Sequence, residues 1–170
     1  MRVSLTILVG IVLGLALQGK DPEIRPAKDL TIEMVSGNSA KLSAYKGKVV
    51  VVQFLNTHCI HCQATARMLT KLKGELGPKG LVVFGVGFNE EAREEVNQFV
   101  ESNHVSFPVG VSNADTVREY LGISVMQRLA VPQILVIDRK GMVRAQSAPL
   151  GTAELQDETY MRAFLSGLLK

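Results

Sequence analysis

From about Asp29 onward the chain alternates between near-continuous apolar runs and stretches of helical period. Val49 to Leu55 (VVVVQFL), Leu81 to Phe88 (LVVFGVGF) and Gln133 to Asp138 are runs of strand length, the pattern of strands covered on both faces. After Asn56-Thr57-His58-Cys59 the period changes: Cys62, Ala66, Leu69 and Leu76 fall near one helical stripe, with Thr65, Met68 and Leu72 beside it, and Gly77-Pro78 stops the helix. Asn89 is placed to cap a helix reaching about Asn103, with Glu90 and Glu91 favourable in its first turn. Thr31 to Val35 reads as a strand, Ser36-Gly37-Asn38 as a turn and Ala40 to Leu42 as a short partner strand. Phe107 to Val111 reads as a strand, Ala114 to Leu121 as a helix ended by Gly122, and Asp138 to Gly141 as a hairpin turn into Met142 to Ala145. Ala153 to Leu169 predicts an amphipathic closing helix with Tyr160, Phe164 and Leu168 on its buried side.

Strands separated by helices require a partly parallel sheet with helices on both faces, an α/β three-layer sandwich preceded by a short β extension. The predicted organisation is an N-terminal hydrophobic segment over residues 1–18, a linker over 19–28 and one domain over 29–170. Val3 to Leu17 is uncharged and largely apolar behind the single cation Arg2. It is short for a membrane span, which needs ~20 apolar residues, and suits a signal-peptide core or a retained anchor. The domain is therefore expected outside the cytoplasm, in the periplasm or secreted, tethered if the segment is kept. A net charge of +3 with no Lys/Arg cluster gives no nucleic-acid footprint.

Two cysteines only are present, Cys59 and Cys62. A C-x-x-C pair closes too small a loop to staple a fold, so in an exported chain it points to chemistry. At the carboxyl edge of a sheet, Cys59 would open a helix and meet its unpaired N–H groups, which favour a thiolate. Cys62, one turn on and on the apolar stripe, is expected to be buried and to resolve the mixed disulfide formed at Cys59. No cofactor is implied.

The segment KGKVVVVQFLNTHCIHC (Lys46 to Cys62) resembles the strand-to-helix segment of thioredoxin-like proteins of the TlpA/ResA type, within the wider redoxin (AhpC/TSA-like) superfamily, and AVPQILVIDRKG (Ala130 to Gly141) resembles that group's second landmark, a cis-proline before a strand and a D-x-x-G turn. The resemblance implies a thioredoxin-like fold and thiol–disulfide oxidoreductase activity. It further implies that Pro132 faces the cysteine pair and that the Val131 backbone pairs with an extended substrate chain. Implied partners are cysteine-containing exported proteins, apocytochromes c or copper-site proteins among them, and a membrane redox partner.

Departures from the pattern fall on the groups that tune such a site. His58 stands where an aromatic residue precedes the first cysteine, Gln53 where thioredoxins bury an acid, and Thr65 where a glutamate often follows the second cysteine. Both usual proton-relaying carboxylates are absent, and an amide does not titrate. His61 between the cysteines matches the C-P-H-C arrangement of DsbA-type oxidases, so a couple more oxidising than thioredoxin is expected. Whether the protein reduces or oxidises its partners stays open. As an alternative, His58, Cys59, His61 and Cys62 are all metal-ligand types, and a copper carrier on this fold would be the natural form. SCO-type carriers, however, use C-x-x-x-C with a distant histidine. A peroxidatic P-x-x-x-T-x-x-C motif is missing, with Val52 and Asn56 at its Pro and Thr positions.

Overall fold

The computed structural model describes residues 24–170. Among the described residues, eight strands form one mixed sheet: β1 (Arg25–Pro26), β2 (Thr31–Glu33), β3 (Ser39–Lys41), β4 (Val49–Leu55), β5 (Leu81–Gly87), β6 (Val109–Val111), β7 (Gln133–Ile137) and β8 (Met142–Gln146). Their order across the sheet is β1-β8-β7-β4-β5-β6-β2-β3. The β4–β5 and β5–β6 pairs are parallel and β4–β7 is antiparallel. All seven residues of β4 are buried, because the strand has a neighbour on either side and helices over both faces. Each such Val, Leu or Phe side chain contributes about 1.5–3 kcal/mol.

The helices are α1 (Ile60–Leu76), α2 (Ala92–Ser102), α3 (Ala114–Leu121) and α4 (Glu158–Leu168). One apolar cluster packs α1, α2 and α4 on one face of the sheet, through residues such as Leu69, Val96 and Leu165. A second packs α3 on the other face, with Val117 and Leu121 against Val52, Phe54 and Leu135. This is the expected three-layer sandwich of thioredoxin type. It puts the start of α1 at the carboxyl end of the central strand.

Three local expectations change, and a fourth lies outside the described residues. Arg25–Pro26, at the end of the segment read as linker, pairs with β8, so the sheet takes in residues ahead of Asp29. Residues 1–18, read as signal or anchor, lie outside the described residues, and among those described no helix is long and apolar enough to cross a membrane. The helix expected from Asn89 starts at Ala92, because the Asn89 side chain is engaged elsewhere. The closing helix starts at Glu158 rather than Ala153. Asp157 caps it by accepting the Tyr160 N–H at 2.8 Å, after a separate 3-10 turn over Glu154–Gln156. That later start rotates the stripe: Met161, Leu165 and Leu169 are buried, Phe164 and Leu168 only partly, and Tyr160 is exposed.

Candidate active site

Cys59 has extended backbone (φ −77°, ψ 116°) and is the N-cap residue of α1. Its Sγ accepts the Cys62 backbone N–H at 3.3 Å, one of the four donors a helix start leaves unpaired. The sulfur thus sits in the partial positive charge of the helix end, where an anion is favoured. The Cys59 thiol also reaches the Val131 carbonyl, at 3.8 Å. Val131–Pro132 is a cis peptide bond and Pro132 is buried, so the two landmarks separated by some seventy residues in sequence meet at the sulfur. Both cysteines are free thiols.

Cys62 is fully buried. Burial, and then its hydrogen bond with Cys59, push its thiol well above the usual range. A thiol raised on folding holds its proton more tightly than in the unfolded chain, where it titrates at about 8.5. The stability it lends is complete below that pH and falls as pH rises above it. The reduced protein should therefore lose more unfolding free energy between about pH 8.5 and 10 than Cys62→Ala, as read by urea unfolding at each pH. Parallel profiles would refute this.

The turn that carries Cys59 is braced from both ends. The Asn56 carbonyl accepts the Cys59 N–H at 3.1 Å, and the Asn56 side chain accepts the His58 N–H at 2.9 Å. The buried Thr57 donates its N–H to Asn89 Oδ1 at 3.1 Å and its hydroxyl to Glu95 Oε2 at 2.5 Å. His58, two-thirds exposed, donates from Nε2 to the same Glu95 oxygen at 2.9 Å. His61 is exposed on the first turn of α1. A carboxylate therefore does reach the active-site turn, from α2 rather than from β4 or α1. Its distance in sequence hid it. The one local signal is Asn89, which follows the carboxyl end of the neighbouring parallel strand.

Gln53 is fully buried on β4 and donates from Nε2 to the Cys62 carbonyl at 2.8 Å. Gln133, the first residue of β7, is also fully buried. Its Nε2 donates to the carbonyls of Ala130 (2.7 Å), Ala148 (3.1 Å) and Pro149 (3.3 Å), holding the segment before Pro132 against the turn after β8. As for metals, His58, Glu91 and Glu95 bring ligand-type atoms within 4.8 Å of one another, a grouping that takes in neither cysteine.

The sequence profile of the AhpC/TSA family matches residues 25–146 of this chain. The chain belongs to that family. The thioredoxin-like protein YneN of Bacillus subtilis is 27% identical over 124 residues, 72% of this chain and 69% of that one. The thiol-disulfide oxidoreductase ResA of Halalkalibacterium halodurans is 25% identical over 150 residues, 84% of this chain and 82% of that one. In structure, the chain is similar to a thiol:disulfide interchange protein of the thioredoxin family from Chlorobium tepidum. That match has a TM-score of 0.71 at 20% identity and covers 88% of this chain and 99% of the other. The likeness identifies the thioredoxin fold.

Proposed function

We propose that this protein exchanges disulfides with cysteine-containing exported proteins, outside the cytoplasm, through Cys59 and Cys62. The chain is a thiol–disulfide oxidoreductase of thioredoxin fold; the reading adds which groups act, and where. The observation that carries it is the Cys59 sulfur, held at a helix start by the Cys62 N–H and lying against the Val131 carbonyl. Cys59 attacks a partner disulfide as the thiolate, and the partner's other sulfur leaves with the electron pair. Cys62 then attacks the Cys59 sulfur and the partner is released reduced, while the chain keeps the Cys59–Cys62 disulfide. Run backwards, the same steps donate a disulfide. The Val131 backbone beside Pro132 supplies the edge on which an extended partner chain lies. Apocytochromes c and copper-site proteins are suitable partners, and a membrane redox protein would recharge the Cys59–Cys62 pair.

With His61 between the cysteines and no carboxylate hydrogen-bonded to either sulfur, the couple is expected to be more oxidising than thioredoxin. Equilibration with glutathione buffers should give a potential above about −270 mV. A value at or below that would reject the tuning. Trapping the thiols in intact cells by alkylation tests direction: a mostly reduced pair marks a reductase, a mostly oxidised pair an oxidase. A pair that never changes state with the cell's redox supply would reject the exchange role itself.

A further inference from the structure

One carboxylate oxygen gathers the two residues that precede Cys59. Glu95 Oε2 accepts the Thr57 hydroxyl at 2.5 Å and the His58 Nε2 at 2.9 Å, and Asn89 Nδ2 lies 3.4 Å from it. Val96 and Phe99 of the same helix are buried in the core and fix where that carboxylate stands. Among the described residues no Lys or Arg pairs with Glu95, and Arg93, two residues away, reaches Glu33 instead. The other ionisable side chains at this corner are Glu91, which accepts from Asn89 Nδ2 at 3.3 Å, and the exposed His61. A negative charge is therefore set beside the start of α1, whose partial positive charge also favours a thiolate at Cys59. Two anions at one helix end oppose each other.

We propose that Glu95 is a positioning residue that limits how far Cys59 favours the thiolate, and so sets the potential of the Cys59–Cys62 couple. The inference rests on the reading of Cys59 as the attacking thiolate. Glu95 acts through Thr57 and His58, which hold its charge within two residues of the sulfur, roughly 8 Å of chain. The direction does not depend on the proton of His58. With that histidine neutral the Glu95–His58 pair carries one negative charge, and with it protonated the pair carries none. An amide at position 95 leaves the pair more positive in either case. A thiolate beside a more positive pair forms more readily, which stabilises the reduced protein and makes the couple a stronger oxidant. Glu95 thus offsets part of what the helix start and His61 add.

The test is equilibration of the full chain with glutathione. The protein disulfide and two glutathione thiols give the Cys59 and Cys62 thiols and one glutathione disulfide, and alkylation traps each mixture. Glu95→Gln keeps an oxygen for Thr57 and His58 and removes the charge. It should move the constant about fivefold or more towards the dithiol, the size expected for one charge at this range in a partly exposed site. The pH midpoint of Cys59 alkylation should fall in the same variant. Glu95→Asp keeps the charge but draws the carboxylate back from its hydrogen bonds, and it should stay within about twofold of the native constant. In about 1 M salt, where screening sets in over about 3 Å, the native and Glu95→Gln constants should converge. A Glu95→Gln constant equal to the native one would overturn the proposal. So would a Glu95→Asp constant shifted as far, or a difference that survives the salt, either of which marks a brace that acts by shape alone. A native protein whose cysteines never interconvert with glutathione would instead overturn the exchange role on which the inference rests.

Discussion

Cys59→Ser should abolish disulfide exchange, while Cys62→Ser should still attack but stop at a mixed disulfide with its partner. The difference follows from where the sulfurs sit. Cys59 is partly exposed at a helix start and faces the Val131 carbonyl, whereas Cys62 is fully buried beneath it. An external disulfide can reach the first and not the second. Serine at position 59 offers a hydroxyl that is not ionised near neutrality and cannot form the S–S bond. Serine at position 62 removes only the second attack, so the adduct accumulates. Non-reducing electrophoresis of each variant with a disulfide-containing protein, followed by mass analysis of any adduct, reads both results. An adduct on Cys62 in Cys59→Ser, or none on Cys59 in Cys62→Ser, would reverse the roles assigned.

The largest effect on stability is expected far from the sulfurs, at Gly110. This residue lies in β6, beside β2 in the sheet, at a point where the β2 backbone comes close to it. A Cβ built there would fall 2.5 Å from Ile32 Cγ2 and strike the Glu33 carbonyl oxygen. Backbone cannot swing aside as the end of a long side chain can. Gly110→Ala must therefore push the β2–β3 hairpin off the sheet edge or distort β6, whose one register pair with β2 is Glu33–Val111. Overpacking of this kind costs about 1–3 kcal/mol, and backbone as the obstacle puts Gly110→Ala near about 3 kcal/mol. Urea unfolding of the two proteins measures it; a difference within about 0.5 kcal/mol, the scale of a neutral surface change, would show that the edge yields freely.

What could be read from the sequence depended on whether a feature is local. Four valines in a row declare β4, because only a strand buried on both faces tolerates such a run. The spacing of Cys59 and Cys62, with the stripe behind them, declares α1 and its burial. Glu95, Asn89 and Gln133 were not legible as site residues. Each is a polar residue of ordinary appearance whose role comes from a partner brought near by the sheet: Thr57 for Asn89 and Glu95, the carbonyls of Ala130, Ala148 and Pro149 for Gln133. The misplaced stripe of α4 has a smaller cause. A helix begun five residues early carries its phase across a 3-10 turn that does not share its period, and Tyr160 lands on the wrong side.

The bonds of Gln133 have a mechanical consequence. One amide joins the backbone ahead of Pro132 to that of Ala148 and Pro149, so the wall opposite Cys59 and the turn after β8 shift as a unit. In the docking proposed above, an incoming chain on Val131 would load residues it never touches. Selectivity for one partner over another can accordingly be altered at Ala148 or Pro149, with both sulfurs and their immediate surroundings left as they are.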